Sequence, residues 1–324
     1  MASYKEIFGT NIEVLASDPA NPVEGQVWYN STDNVVKGAA ATTAGAWATG
    51  GALNSGRYSL GGAGTQTAAL VFGGAPSGPT AATESYDGTS WTEVNDLNSA
   101  RSYIGGAGTQ TAALGFGGSS TPEPAGTGKT ESWDGTSWTE VNDLNTGRFI
   151  TAAAGIQTSA LTFAGYRPSP NTSAITESWN GTSWTEVADL NTARFSNAGA
   201  GADNTSALTF GGNTGSVTAN TESWNGTSWT EVNNLNTARF NLVGAGTQTL
   251  ALGIGGEPLT GKTEEWNGTS WTETTDLSTA RWNSAAAGTQ ASAIAAGGLI
   301  PPQSAATEEW TGAGSPLTVT FTDS

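Results

Sequence analysis

The stretch TESWNGTSWTEV fills residues 176–187 and returns letter for letter at 221–232, with near copies at 83–94, 130–141 and 263–274. A catalytic motif is needed once; a phrase repeated along a chain is a structural unit. Around it the same marks recur. A Trp (Trp47, Trp91, Trp138, Trp184, Trp229, Trp271) stands six residues before a Leu (Leu53, Leu97, Leu144, Leu190, Leu235, Leu277). An Arg follows each Leu at Arg57, Arg101, Arg148, Arg194, Arg239 and Arg281, with spacings of 44, 47, 46, 45 and 42 residues. A period near 45 suits a propeller blade or a solenoid turn.

The unit reads as four short strands. In the second copy these are SYIGGAGT (102–109), TAALGFGG (111–118), TESW (130–133) and SWTEV (137–141). Asp-Gly or Asn-Gly is expected to form a two-residue hairpin turn between the third and fourth strands, where Gly takes positive φ without a Cβ clash. Val, Thr, Trp and Phe flank these turns and no helical period appears, so helical solenoids are poor candidates. Radial repetition of four-stranded sheets is the all-β solution that hides most strand edges. The Gly- and Ala-rich first strands suit a crowded axis, and the Trp of the fourth strand is expected in the wedge between blades.

The repeated Arg, the Gly-Gly after the second strand (Gly73-Gly74, Gly117-Gly118, Gly211-Gly212, Gly255-Gly256, Gly297-Gly298), an aromatic in the third strand and the Trp of the fourth resemble kelch repeats over roughly 46–324. One unit departs, with Ala164-Gly165. The resemblance implies a six-bladed kelch-like β-propeller. Trp47–Leu53 is a fourth strand with no first three before it, and Arg281–Trp310 supplies three strands that it would complete; LTVTFT (317–322) competes for that place.

Residues 1–45 do not follow the period. NPVEGQVWYNSTDNVVKG (21–38) resembles a module of tail-fibre and other virion proteins of tailed bacteriophages, matched at Gly25, Trp28, Tyr29, Asn30 and Trp47. It implies a short N-terminal β-hairpin that docks to a phage particle, so that residues 1–45 contact other virion proteins and several copies sit in a larger assembly.

Composition narrows the chemistry. The chain of 324 residues has no Cys and no His, which removes disulfides, His-based triads and Zn sites built on those ligands. A net charge of −17 lacks the basic footprint of a nucleic-acid binder. No apolar run reaches a membrane span, and MASYKEIFGT (1–10) reads as no secretory signal. Ser-Trp-Asp-Gly-Thr-Ser-Trp (132–138) resembles the Asp box of sialidase-type propellers, less one spacer residue, and that box is structural. The repeated arginines are expected to tie blade corners through carbonyls or a local carboxylate. The repeated acids (Glu84, Glu131, Glu177, Glu222, Glu264, Glu308) are open to a paired-carboxylate reading, but equivalent copies spread round a ring do not make one asymmetric site. No catalytic residue, metal ligand or cofactor is assigned.

The copies differ in the loops between the second and third strands: 75–82, 119–129, 166–175, 213–220, 257–262 and 299–306. Variation over a fixed scaffold is how a recognition face is built. Tyr166, Arg167 and Lys129 are the named binding candidates there. The residues after each Arg lie on the same side, and five of the six are aromatic: Tyr58, Phe149, Phe195, Phe240 and Trp282, with Ser102 the exception. The expectation is a non-enzymatic virion structural or adhesion protein whose loop face binds a host-surface glycan or another virion protein. A carbohydrate-active enzyme on the same scaffold and a free protein-interaction module are the alternatives.

Overall fold

The computed structural model describes residues 12–19, 26–41, 44–120, 126–168, 171–314 and 316–321, and among them there is no helix. The chain divides into two compact units, one of Met1–Ala46 with Thr311–Ser324 and one of Trp47–Trp310. The sequence reading placed that division after residue 45 and kept the C-terminal tail with the repeats.

The larger unit is a β-propeller-like array of repeated four-stranded antiparallel sheets. In chain order its sheets are β5-β6-β7-β8 (Gly61–Gly64, Ala69–Phe72, Thr83–Tyr86, Trp91–Val94), β9 to β12 (Gly105–Gly108, Ala113–Phe116, Thr130–Trp133, Trp138–Val141), and β13 to β16 (Ala152–Ile156, Ser159–Phe163, Thr176–Trp179, Trp184–Val187). Then come β17 to β20 (Ala198–Asp203, Ser206–Phe210, Thr221–Trp224, Trp229–Val232) and β21 to β24 (Val243–Gly246, Ala251–Ile254, Thr263–Trp266, Trp271–Glu273). The last sheet joins β25 (Ala285–Gly288), β26 (Ser292–Ala296) and β27 (Thr307–Thr311) to β4 (Ala46–Gly50). Trp47 therefore stands in the sheet that Arg281 opens, which decides between it and the competing 317–322 segment. First strands adjoin one another in sequence, and β25 adjoins β5.

The repeated phrase is explained by what its residues touch. In every repeat the Trp of the fourth strand is buried and donates its indole N–H to the Thr that opens the third strand of the preceding sheet. Trp91 closes the series on Thr307, and all these bonds measure 3.0–3.1 Å. The Glu after that Thr is buried against the Arg of its own repeat, from Arg57–Glu84 at 2.9 Å to Arg281–Glu308 at 2.7 Å. The same carboxylate accepts the backbone amide of the residue after the repeat's Leu, Asn54 to Glu84 for example at 2.7 Å. Burial pushes every one of these guanidinium pKa values down, and the paired Glu pushes back.

A third link runs from the turn between first and second strands. Gln110, Gln157, Asn204, Gln248 and Gln290 each donate to a third-strand carbonyl of the preceding sheet, and Gln66 does the same to Trp310 at 2.8 Å. Where neighbouring first strands meet there is room for little beyond a methyl group. A Cβ on Gly244 would sit 2.3 Å from the Gly199 carbonyl oxygen, which accounts for the Gly and Ala there.

The turn between third and fourth strands corrects the sequence reading. Trp133 pairs with Trp138 and Asp134 N–H donates to the Ser137 carbonyl at 3.2 Å, so the two central residues are Gly135 and Thr136 rather than Asp-Gly. Gly135 has φ +94°, and positive φ at the first central position alone is the type II′ pattern. Asp134 instead accepts the Thr136 and Ser137 amides at 2.8 Å, and Asn180 does the same job at 2.9 Å. That shared role is why Asp and Asn interchange among copies.

The smaller unit is one sheet, ordered β1 (Glu13–Leu15), β2 (Val27–Asn30), β3 (Val35–Ala41), β28 (Pro316–Phe321). The expected hairpin is β2–β3. The tail strand pairs antiparallel with β3 and so does not complete the last repeat. Within the matched Trp-Tyr-Asn, Trp28 and Asn30 both donate to Asp18, at 3.1 and 2.7 Å, and Lys37 joins them at 2.8 Å. Gly25 lies outside the described residues.

Three outcomes follow from these contacts. Thr176→Val, which leaves the buried Trp229 indole N–H without an acceptor, is expected to lower stability by about 1–3 kcal/mol in denaturant melts, while Thr176→Ser keeps most of it; equal midpoints for Val and wild type would remove the bond from the account. Gly135→Val is expected to cost about 1–3 kcal/mol, because a β-branched residue resists positive φ, and an unchanged midpoint would contradict the turn. The bonds from Lys37, Asn30 and Trp28 hold the Asp18 carboxyl down to about 2 from 3.8. Its stabilising contribution is thus in place above the ordinary carboxylate range and lost as pH falls through about 2. An NMR titration of the Trp28 indole should report that low midpoint, which Lys37→Met moves upward; a midpoint near 3.8 in the intact chain would refute the assignment.

Candidate functional site

The residue after each Arg forms a backbone bridge with the residue after the Gly pair: Tyr58 with Ala75, Ser102 with Ser119, Phe149 with Tyr166, Phe195 with Asn213, Phe240 with Glu257 and Trp282 with Leu299. These bridges seat the variable loops beside the aromatic positions.

One step further, each repeat bends sharply. Ser59, Tyr103, Ile150, Ser196, Asn241 and Asn283 all have φ between +51° and +58°. The bend turns each backbone toward its neighbour. Tyr103 N–H donates to the Ser59 carbonyl at 2.8 Å, Ser59 to Asn283 at 2.7 Å, Asn283 to Asn241 at 2.9 Å, Asn241 to Ser196 at 2.8 Å and Ile150 to Tyr103 at 3.2 Å. These six residues rim a funnel of about 140 Å³ whose walls are the first strands. Its half-buried polar groups are the side-chain amides of Asn241, whose nitrogen donates to Glu257 at 2.8 Å, and Asn283, while Ser59 and Ser196 are buried.

Six rings form an unbroken series beside these bends, and Tyr103 among them lines the funnel itself. Trp282 and Tyr58 lie 6.4 Å apart, Tyr58 and Tyr103 6.5 Å, Tyr103 and Phe149 5.9 Å, Phe149 and Tyr166 5.0 Å, Tyr166 and Phe195 5.4 Å, centroid to centroid. Five are half-buried and Phe149 is buried. Tyr103 was not among the sequence candidates. It fills the gap that Ser102 leaves, and only the bend puts its ring there. Burial pushes its hydroxyl pKa up, so it remains a neutral hydroxyl at neutral pH. Phe240 is half-buried, and no ring pairing joins it to the series among the described residues.

The remaining candidates sit differently. Lys129 donates to Ser99 at 3.0 Å and stands 3.8 Å from Glu140. Arg167 is half-buried beside Tyr166, with its Nε sealed from solvent. The repeated acids and arginines are spent on one another, each Glu carrying an Arg and a backbone amide. Residues 121–125 and 169–170 of two variable loops lie outside the described residues. No family model and no curated protein matches the chain.

Ile150 is a β-branched residue in the left-handed region, a costly placement. Ile150→Asn is expected to raise stability by about 1 kcal/mol, since Asn takes that conformation readily. A lower midpoint would show that the Ile side chain contributes more than its backbone costs.

Proposed function

We propose that the chain is a non-enzymatic adhesion component of a tailed-bacteriophage particle, a six-bladed kelch-type propeller whose variable face binds a host-surface glycan. Residues 1–45 serve in this reading as the segment that docks to other virion proteins. The observation that carries it is the series of rings from Trp282 to Phe195 on the variable-loop side, with the Asn241 and Asn283 amides nearby at the funnel. Aromatic faces stack on the apolar faces of sugars, and neutral polar groups bond their hydroxyls. The repeated phrase supports the reading by default, since its acids and arginines are committed to holding sheets together. The phage assignment rests on the resemblance of residues 21–38.

A screen of the intact protein against bacterial surface glycans tests the reading. Tyr58→Ala with Trp282→Ala is expected to weaken binding by about tenfold or more, from the loss of two stacking contacts worth roughly 0.5–1.5 kcal/mol each. Thr136→Ala with Ser137→Ala, in the repeated turn, should leave affinity unchanged. Loss of binding in the turn pair and not in the ring pair would place recognition on the wrong side. Mass spectrometry of purified particles should find the chain among the virion proteins, and its absence there would sink the phage assignment.

A further inference from the structure

The third repeat breaks a rule the others keep. Phe149 and Tyr166 exchange both backbone bonds, at 3.2 and 2.7 Å. This is an isolated antiparallel bridge, and one step along its register sets Arg148 opposite Arg167. The corresponding neighbours of the other arginines are Pro76, Ser120, Thr214, Pro258 and Ile300, all uncharged. Like charges opposed across a ladder are destabilising.

The bonding of Arg148 is also different. Arg101, Arg194, Arg239 and Arg281 direct Nη1 at two carbonyls, that of the first residue of their Gly pair and that of the residue before the third strand. Arg148 Nη1 bonds Glu177 at 2.5 Å and the Thr146 carbonyl at 2.9 Å instead. Its Nε and Nη2, and the Nε of Arg167, are buried with no hydrogen-bond partner; Arg57 shares this at Nε and Nη2, and Arg101 and Arg239 at Nε, so Arg167 is the feature particular to this corner. Arg148 is fully buried, and its pKa is pushed down by burial and by the charge of Arg167, against the pull of Glu177. No carboxylate pairs with Arg167 among the described residues. This corner thus holds two guanidinium groups for one contacting Glu, with Glu186 acting on Arg148 from further off, in a chain of net charge −17.

We propose that the Arg148–Arg167 corner is a binding site for a carboxylate, with Arg167 making the contact and Arg148 supplying a second positive charge from behind it. A planar guanidinium fork matches a carboxylate, and a charge-assisted bond in a partly desolvated site is strong. Taken with the glycan reading, on which this ligand class rests, the sugar recognised by the variable face is an acidic one. Long-range repulsion by the acidic chain is screened beyond about 10 Å in ordinary salt.

The test is thermal melting of the intact protein with D-glucuronate, D-glucose, acetate and sulfate at matched ionic strength. Wild type should gain in midpoint with glucuronate, saturably, less with acetate, and not with glucose or sulfate. Arg167→Gln should melt higher than wild type without ligand, because the opposed charges are gone, and bind glucuronate about tenfold more weakly or worse. Arg167→Glu, which brings its own carboxylate to Arg148, should also melt higher and ignore glucuronate. An Arg167→Gln that melts lower and still responds would make Arg167 a structural residue and overturn the site, as would a wild type indifferent to glucuronate or equally responsive to sulfate. Neutral glycans binding at the rings without any carboxylate effect would defeat this site alone. A carboxylate response with no glycan binding would defeat the glycan reading alone.

Discussion

The hydrogen bond from each fourth-strand Trp to the Thr of the preceding sheet sets the terms for the rest of the larger unit. An indole buried between sheets removes a large apolar surface from water, but its N–H must find an acceptor or the gain is eroded. Thr at the start of the neighbouring third strand is that acceptor in every repeat. Thr and Trp must then recur in a fixed order, and the Glu between them has to enter the interior. A buried carboxylate needs a partner, which is the Arg that opens the repeat. One constraint thus dictates most of the phrase TESW…SWTEV and the Arg before it.

The same constraint decides where chemistry is available. Residues that satisfy one another in every sheet are not free to act on a ligand, however reactive their types look in a sequence. What remains variable lies on the side where the chain leaves the second strand. There the left-handed bend after each Arg does two things at once: it links neighbouring backbones around the funnel and it aims side chains at the funnel mouth. Arg148 is where the two regimes meet, a scaffold arginine facing a loop residue that carries the same charge.

Much of this was legible in the sequence. Repetition gave the four-stranded sheets, and the unmatched Trp47 pointed to its place beside the strands after Arg281. The repeated Arg was legible as a tie to carbonyls or a local carboxylate, but that its partner is the repeated Glu was not, because Glu and Arg lie about 30 residues apart and meet only once the sheet is folded. Other features depend on geometry that no spacing displays. Tyr103 joins the rings through a backbone bend at a position that also holds Ser59, Ile150 and Asn241, so its type carries no signal. The turn's central pair depends on register, and Trp133 facing Trp138 shifts it by one residue. The tail strand was ambiguous because LTVTFT fits any open edge, and β3 offers one. The opposition of Arg148 and Arg167 requires knowing that Phe149 faces Tyr166.

Native-state hydrogen exchange of the tryptophan indoles, read by NMR, tests the central claim most directly. If the Trp–Thr bonds bind the repeats into one cooperative body, the N–H groups of Trp47, Trp91, Trp138, Trp184, Trp229 and Trp271 exchange only through global unfolding and share one opening free energy. Trp282, half-buried and outside the Trp–Thr series, exchanges fast. Trp47 is the decisive reporter, because its strand reaches the last sheet from the opposite end of the repeats. Exchange of Trp47 at a much lower free energy than Trp184 or Trp229 would show that the last sheet opens by itself and that the bond is not what unites the structure.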